Sequence, residues 1–137
     1  MQIEYVPKIE GTPVLPFVID AYVSLRTDGN IEACACPASG DEEAFYIRNN
    51  RKSVVAVLSF FKNRANTITV NMGFVHARYR RRGYYGLLWK RLVEEATERG
   101  IKSIIGYHKP NNKAILAVNE RLGRHIKYIC SEYVIEG

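Results

Sequence analysis

The sequence predicts a fold of mixed helices and strands, α/β in the broad sense and α+β in the narrower one. In it, helices pack on a mixed, mostly antiparallel sheet. Three short runs rich in β-branched and aromatic residues follow one another between residues 44 and 76, as in an antiparallel meander. After residue 83 the spacing of apolar residues changes from the period of a strand to that of an amphipathic helix. Together these observations predict the element order β-α-β-β-β-α-β-α-β.

The first half of the chain is predicted to contain a strand, a helix and the meander. Apolar residues lie at helical spacing from 13 to 25, where prolines stand in or near a first turn. The run 53–61 is almost continuously apolar, which is typical of a central strand. The predicted ranges are strand 2–9, helix 13–25, loop 26–41 and strands 44–48, 53–61 and 67–76.

The second half is predicted to contain two amphipathic helices, each followed by a strand. One face of the first helix, 84–99, carries Leu87, Leu88, Leu92, Val93 and Ala96. Glycines at 100 and 123 stand where a left-handed residue ends each helix, the second being 112–122. The strands are 103–107 and 126–135, and we expect both crossovers to be right-handed and parallel or nearly so.

Length and composition limit the class of protein. At 137 residues the chain is expected to form a single domain, 1–137. Hydrophobic residues make up 47% and charged residues 25%, which is typical of a soluble globular protein and excludes disorder as the main state. No apolar run approaches the roughly 18 residues of a membrane-spanning helix. The first residues lack the features of a secretory signal, so we expect a cytoplasmic protein without membrane association.

The charge and the cysteines bear on partners. Lysine and arginine number 20 against 14 aspartates and glutamates, a formal net charge of +6. Such a balance favours anionic partners: a phosphorylated cofactor, nucleic acid or an acidic protein surface. The three cysteines are expected to be reduced thiols. Cys34 and Cys36 form an isolated C-x-C with no further ligand pair at zinc spacing, so no metal is expected.

The segment 76–88, HARYRRRGYYGLL, predicts an anion site because a strand ends, a basic turn follows and a helix begins. The first amides of a helix have no internal acceptor, and the helix dipole adds partial positive charge. Gly83 and Gly86 allow close approach of a phosphate, and Arg80, Arg81 and Arg82 surround it with charge. Neither a Walker A loop nor a G-x-G-x-x-G fingerprint is present. The alternative is a solvated basic surface with a glycine that only makes the turn.

This segment resembles the signature of the GNAT superfamily of acyl-CoA-dependent N-acyltransferases. The family has a strand ending in Val, then h-P-x-Y, then [Q/R]-x-x-G-x-[G/A] opening a helix. Here Val75 is followed by HARY and then by RRRGYY, without a gap. The second family motif, N-x-x-[M/A]-x-x-x-[Y/N]-E-x-L-G-F, is similar to NKAILAVNERLG at 112–123. The two motifs occur in the family's order with the expected strand between them.

The resemblance implies a GNAT-like sheet with splayed central strands, helices on both faces and acetyl-CoA as co-substrate. In the family, pantetheine pairs with main-chain groups beside the splay, and the pyrophosphate lies on the amides that open the following helix. It also implies a cofactor contact from the asparagine near the start of the second motif. The implied cofactor-binding residues are Gly73, Phe74, Val75, Arg80, Arg81, Arg82, Gly83, Tyr84, Tyr85, Gly86, Asn112 and Asn119.

Three positions depart from the family pattern. Tyr85 replaces the second small residue of the phosphate turn, which is tolerable if its φ stays negative and Gly86 provides room. Asn119 stands where many members have the tyrosine that protonates the departing thiolate, and an amide is no acid. Arg124 and His125 replace the usual phenylalanine after Leu-Gly.

The sequence also contains candidates for the catalytic acid and base. Some relatives have a glutamate base on the third meander strand or at the end of the following one. This chain has no acid between 67 and 76, and at the second place it has Tyr107 and His108, our candidate catalytic residues. His76 is a lesser candidate for the base. Tyr128 and Tyr133 are candidate acids, although aromatic packing is the simpler interpretation of both.

The resemblance predicts an N-acetyltransferase that transfers acetyl from acetyl-CoA to a primary amine by direct attack in a ternary complex. The acceptor amine belongs to a small molecule, a peptide or a modified base. Loop 26–41 is its expected determinant, and the acidic run 41–43 attracts a cation unless it is simply solvated. The alternatives are a basic nucleic-acid-binding protein and a non-catalytic acyl-CoA-binding regulator of a partner. A homodimer paired through sheet edges is a further option.

Overall fold

A computed structural model describes residues 2–28, 40–107 and 113–126, together with residues 131, 133 and 135. Within this part of the chain, the strands and helices follow one another in the predicted order. The elements are β1 Ile3–Val6, α1 Val14–Thr27, β2 Glu43–Arg48, β3 Val54–Asn63, β4 Thr67–Val75, a 3-10 turn Ala77–Tyr79, α2 Tyr84–Glu98, β5 Ser103–Gly106 and α3 Lys113–Arg121.

The strands form one mixed sheet in the order β1-β2-β3-β4-β5. Strands β1 to β4 pair with one another in antiparallel fashion, and those from β2 to β4 confirm the meander. Strand β5 pairs with β4 in parallel, because helix α2 carries the chain back to the starting end of the sheet. The predicted mixed, mostly antiparallel architecture is confirmed.

Helices cover both faces of the sheet. On one face, Leu88 and Leu92 of α2 are fully buried against a cluster that includes Phe45 and Phe60. On the other, Val14 and Val18 of α1 pack against side chains of the central strands. Successive side chains of a strand point to opposite faces, which lets the mainly apolar strands β2 and β3 serve both clusters.

Strand β4 contains a bulge in its pairing with β3. Ser59 lies opposite Met72, whereas the next residue, Phe60, lies opposite Val70, so Asn71 is an extra residue on β4. A bulge bends its strand and redirects side chains, and bulges are frequent beside active sites. The bend falls in the middle of the strand that leads into the basic turn.

Strand β4 pairs with β5 over only the first part of its length. Their parallel pairing runs from Thr67 with Ser103 to Val70 with Gly106, where β5 ends. Beyond the bulge, β4 continues to Val75 while remaining paired with β3. In the part of the chain that the structure describes, the main-chain groups on its other edge therefore face a gap between the central strands, as expected of a splayed sheet.

Several predicted boundaries were wrong by a few residues. The first strand ends at Val6 rather than at residue 9, and α1 extends through Thr27, so Arg26 is helical and not part of a loop. On α2, Leu87 is 45% and Val93 39% exposed, because the buried residues recur every four positions and form a narrower face than predicted. The buried residues of this helix are Tyr84, Leu88, Leu92 and Ala96.

Glycine ends the second helix and the third as predicted, with φ of +72° at Gly100 and +75° at Gly123. The predicted last strand, 126–135, lies mostly outside the described residues. Residues 126, 131, 133 and 135 are exposed and belong to no strand. In the described part of the chain, no helix combines the length and apolar character needed to cross a membrane.

Candidate functional site

The turn between β4 and α2 has the backbone geometry of an anion site. Gly83 caps α2 with φ of +80°, and Arg81 also adopts a left-handed φ of +64°. A left-handed conformation costs a non-glycine residue about 1–2 kcal/mol, and such strain is concentrated at functional sites. Leu87 N donates to Gly83 O in the first turn of the helix, so the preceding amides have no acceptor within it. A Cβ at Gly83 or Gly86 would meet nothing within 4 Å, so the space above this helix end is open.

The three arginines of the turn have different surroundings. Arg80 Nε donates to Val75 O at 2.9 Å, and its guanidinium carbon lies 5.3 Å from the centroid of the Phe74 ring. The guanidinium carbon of Arg82 lies 5.0 Å from the centroid of the Tyr79 ring. All three arginines are exposed. Arg80 therefore ties the turn to the end of β4, while Arg81 and Arg82 supply charge at the surface.

The end of β4 presents main-chain groups to the gap beside β5. His76 N donates to Val55 O of β3 at 2.8 Å, and the main-chain groups of a strand alternate between its two edges. The groups of Val75 and Gly73 therefore face away from β3. The side chain of Phe74 points to the face covered by α1, where its ring contacts Phe17 edge-on with centroids 5.9 Å apart.

Tyr85 does not obstruct the basic turn, because its ring turns inward onto β4. A Cβ placed on Gly73 would lie 2.5 Å from Tyr85 Cε2 and 3.3 Å from its hydroxyl oxygen. Tyr85 is helical with a negative φ, and Gly86 beside it faces open space. A negative φ at Tyr85 and open space at Gly86 are the two conditions under which we expected the turn to tolerate a bulky residue. Gly73 is required here because the tyrosine ring occupies the place of a side chain.

Arg124 connects α3 to the same region. Its Nη1 donates to Oδ1 of the buried Asn119 at 2.9 Å, and its guanidinium carbon lies 4.5 Å from the centroid of the Trp89 ring. Its Nη2 is 2.9 Å from the position of a Cβ on Gly106, so the guanidinium rests on the end of β5. Burial raises the pKa of the Tyr85 phenol above its ordinary value, while the charge and hydrogen bond of Arg124 offset part of that rise. The three residues that depart from the family pattern, Tyr85, Asn119 and Arg124, thus lie in one cluster.

Residues 17–123 match the sequence profile of the acetyltransferase (GNAT) family. The chain belongs to this family. No curated protein resembles the chain closely enough to count as a match. The chain therefore carries an acetyltransferase domain over most of its length.

Solved structures of acetyltransferases share the fold. A ribosomal-protein-alanine N-acetyltransferase from Brucella melitensis biovar Abortus 2308 is 17% identical, with a TM-score of 0.65 and 100% of each chain covered. A GNAT-family acetyltransferase from Staphylococcus aureus Mu50 is 13% identical, with a TM-score of 0.70 over 92% of this chain and 87% of that one. AAC(6')-Iy, solved with the bisubstrate analogue CoA-S-monomethyl-acetylneamine, is 11% identical, with a TM-score of 0.64 and 100% of each chain covered. At these identities the likeness shows the fold.

Of the two residues that the sequence proposes as catalytic, Tyr107 lies just after β5 and His108 lies outside the described residues. Tyr107 follows the last residue of β5 and is 77% exposed. His108 and Asn112 lie outside the described residues, as do Cys34 and Cys36. The structure therefore gives a position to Tyr107 alone among these residues, at the end of the strand that borders the gap.

The lesser acid and base candidates are not brought to the gap by the described part of the structure. His76 caps the 3-10 turn, and its Nδ1 accepts from Arg78 N at 3.2 Å. Tyr133 is exposed, and Tyr128 lies outside the described residues. The expectation that these tyrosines pack in the interior is wrong for Tyr133.

Glu42 is a residue whose burial the sequence analysis missed. An acidic run looks solvated, yet Glu42 is only 2% exposed, and its Oε2 accepts from Asn71 Nδ2 at 3.0 Å. Asn71 is the bulge residue of β4, two positions before Gly73. The signal was present in the alternation of β2, because Glu42 has the same parity as Ala44 and Tyr46, which are buried on the α1 face.

The other two acids of the run have different partners. Glu43 accepts from Arg99 Nη1 and Nη2 at 3.0 and 2.6 Å and from the Tyr5 hydroxyl at 2.6 Å. Asp41 is exposed and forms an ion pair with Lys8 at 3.5 Å. The prediction of a uniformly solvated run is therefore wrong for Glu42 and Glu43.

A basic depression of about 430 Å³ lies on the side of the basic turn that faces away from β5. Three guanidinium groups line it, and none of the described residues that line it is acidic. Asn49 Nδ2 donates to the Tyr79 hydroxyl at 3.1 Å and joins the turn between β2 and β3 to the 3-10 turn. The lining residues are Asn49, Asn50, Arg51, Arg78, Tyr79 and Arg82.

Proposed function

We propose that this chain transfers an acetyl group from acetyl-CoA to a primary amine by direct attack in a ternary complex. The observation that carries the proposal is the left-handed turn at Arg81 and Gly83, which opens a helix beside a strand edge that, among the described residues, is unpaired beyond Val70. Free amides and arginines suit a pyrophosphate, and a free strand edge suits an extended amide chain. Coenzyme A contains both groups.

Individual residues have separate roles in this proposal. The amides from Arg81 to Gly86 would hold the pyrophosphate, and the main-chain groups of Gly73 and Val75 would pair with pantetheine. Because Arg80 already donates to Val75 O, the groups on this edge that would pair with pantetheine are Val75 N and the main-chain groups of Gly73. Asn112 would add a cofactor contact at the start of α3. The bound acetyl-CoA supplies the activated acyl group as a thioester.

The chemistry needs an uncharged amine and a stabilised oxyanion. A main-chain amide at the end of β4 would donate to the developing oxyanion. For the proton of the amine, we propose Glu42 in addition to Tyr107 and His108. Glu42 is a carboxylate fixed by the bulge residue of the strand that would hold the acyl group. A cationic acceptor would also be attracted to its negative charge.

Calorimetric titration with acetyl-CoA tests the proposal. Gly86→Asp places a carboxylate in the open space at the start of α2, where it favours the helix but repels a phosphate. We expect this variant to weaken acetyl-CoA binding about tenfold or more, which corresponds to about 1.4 kcal/mol. The control is Val93→Asp, the same change in charge at an exposed position farther along α2, with binding within about twofold of the wild type. No binding by the wild type at low salt would overturn the proposal.

The basic depression supports a second candidate, in which the chain binds nucleic acid and the acceptor amine is carried on it. Three arginines beside a tyrosine ring can contact phosphates and stack a base. Fluorescence anisotropy with single-stranded RNA at increasing salt would test this, comparing Arg51→Ala/Arg78→Ala with Lys62→Ala/Arg64→Ala. Both pairs remove two positive charges, but the control pair lies at the opposite end of β3.

Loss of RNA affinity and a shallower salt dependence in the first pair alone would support the second candidate. Equal effects in both pairs would indicate only non-specific attraction to a basic protein. A chain that binds acetyl-CoA but acetylates no amine in a broad panel would instead fit a non-catalytic regulator.

A further inference from the structure

Tyr85, Asn119 and Arg124 depart from the family pattern individually, yet the fold brings them into contact. They come from the first turn of α2, the end of α3 and the segment just after α3. Arg124 donates to Asn119 Oδ1 at 2.9 Å, and its positive charge acts on the Tyr85 phenol, whose ring lies over Gly73. The cluster lies over Gly73 of β4 and Gly106 of β5, at the place where these two strands separate.

The Tyr85 hydroxyl cannot donate its proton to Arg124. A guanidinium carries only hydrogen-bond donors, so the phenol proton is available to another acceptor. The ring is held against Gly73, with Cε2 2.5 Å from a Cβ position, so the hydroxyl stays beside β4. Arg124 is itself held by Asn119, by the Trp89 ring and by the backbone of Gly106.

We infer that Tyr85 is the acid that protonates the leaving thiolate and that Arg124 and Asn119 are its positioning residues. This inference rests on the proposed function, because the pantetheine paired with Gly73 and Val75 brings its sulfur to this part of the gap. Asn119, which has no acidic proton, then supports the acid through Arg124.

The step balances within the proposed reaction. After the amine has attacked and lost its proton to the base, the carbon–sulfur bond breaks and its electron pair passes to sulfur. The Tyr85 Oη–H proton passes to that sulfur and gives the free thiol of CoA. The resulting phenolate is stabilised by the Arg124 guanidinium until solvent returns the proton that the base has released.

One test requires no acceptor amine. Free CoA would be bound to the protein, and its thiol titrated by thiolate absorbance. Because a hydroxyl donor and a nearby cation favour the anion, we expect the acid dissociation constant of the bound thiol to be about tenfold larger than that of free CoA. In Tyr85→Phe this increase should fall, while CoA affinity and the melting temperature should stay near those of the wild type. Tyr5→Phe, which removes a hydroxyl from β1, is the matched control and should titrate like the wild type.

Turnover provides the second readout, with hydroxylamine as acceptor because it is already neutral at neutral pH and needs no base. Tyr85→Phe should lower kcat about a hundredfold with little change in the KM for acetyl-CoA. Arg124→Lys should retain more activity than Arg124→Gln, because it keeps the positive charge. Tyr85→Ala combined with Asn119→Tyr should recover part of the activity, because it returns a phenol to the family's position.

Each outcome separates this inference from the proposed function. A wild type that binds no CoA overturns the proposed function and the inference with it. A wild type that binds CoA, with Tyr85→Phe equal to it in thiol titration and in kcat, overturns the inference alone. A uniform loss of stability in Tyr85→Phe and in both Arg124 variants, with an unchanged thiol titration, assigns the cluster a structural role and also overturns the inference.

Discussion

The ring of Tyr85 occupies the space that a side chain at residue 73 would need, since its Cε2 lies 2.5 Å from the Cβ position on Gly73. Tyr85 belongs to the first turn of α2 and Gly73 to the half of β4 that has no pairing with β5. The family pattern has a small residue at position 85 of the turn. In this chain position 85 is a tyrosine, and the residue that leaves room for its ring is Gly73 on β4. The glycine at 73 and the tyrosine at 85 therefore form one packing unit, and a change at one position should depend on the other.

Gly73→Ala should destabilise the protein by about 1–3 kcal/mol, because the added methyl overlaps the Tyr85 ring and also approaches Leu58 Cδ1 at 3.3 Å. Urea denaturation measures the loss. In the Tyr85→Ala background the same substitution should cost much less, and the difference is the coupling between the two sites. Gly86→Ala is the control, because it adds a methyl in open space within a helix and should stabilise by roughly 0.5–1 kcal/mol. Equal costs of Gly73→Ala in both backgrounds would show that the ring moves away freely.

Glu43→Gln should remove an acid-sensitive part of the stability. Burial raises the pKa of Glu43, but the hydrogen bonds from Arg99 and Tyr5 and the charge of Arg99 outweigh it, so the pKa lies below its ordinary value. A lowered folded-state pKa stabilises the native state above the unfolded value, and this contribution is lost as pH falls through the folded pKa. We expect Glu43→Gln to lower the free energy of unfolding by about 1 kcal/mol at neutral pH.

The gap between the wild type and Glu43→Gln should narrow as the solution is acidified below pH 4.5, the ordinary value for a glutamate. Chemical denaturation across that range measures it. Glu94→Gln, the same change at an exposed position of α2, is the control and should leave the free energy of unfolding close to that of the wild type. A constant gap down to strongly acidic pH would contradict the role of the carboxylate charge.

Local periodicity was sufficient to predict most of the fold. The meander strands and α2 were found because each repeats a strand or helix period over many residues, and Gly100 and Gly123 end their helices as expected. The boundaries of β1 and α1 were wrong because pairing and packing, rather than local pattern, decide where an element ends. The bulge at Asn71 could not be predicted, since it exists only in the register between two strands.

The site was predictable where it is contiguous in sequence and not where it depends on contacts between distant segments. The basic turn needs only the residues from Arg80 to Gly86, which carry their own motif. The contact of Arg124 with Asn119 and Tyr85 joins three elements that are separate in the chain. The sequence shows that each of the three residues differs from the family pattern, but it does not show that the fold brings them close together. Glu42 was expected to be solvated because it lies in an acidic run. The alternation of side chains along the strand instead directs it to the interior, where it is buried.

Glu42→Gln should lower kcat/KM for primary amines about a hundredfold if Glu42 removes the amine proton. The substitution keeps an oxygen to accept from Asn71 Nδ2, so the bulge should stay intact. Hydroxylamine, already neutral, should be acetylated almost as fast by the variant as by the wild type, which separates loss of the base from a general defect. Glu43→Gln, the same change at the next residue, should leave both acceptors unaffected. Wild-type rates with a primary amine would leave His108 or Tyr107 as the base.

Gly83→Ala and Gly11→Ala form a matched pair that separates the conformational role of a glycine from its place in a binding site. Gly83 and Gly11 have φ of +80° and +75°, and in each case a Cβ would meet nothing within 4 Å. Each substitution should therefore cost a similar 1–2 kcal/mol or so, because the left-handed conformation is strained for alanine. Thermal or urea unfolding measures this. Only the methyl at residue 83 lies where the turn would receive a phosphate, so only Gly83→Ala should weaken acetyl-CoA binding, by about tenfold, in calorimetry. Equal losses of acetyl-CoA affinity in both variants would mean that binding follows overall stability, and unchanged affinity in both would place the pyrophosphate away from this turn.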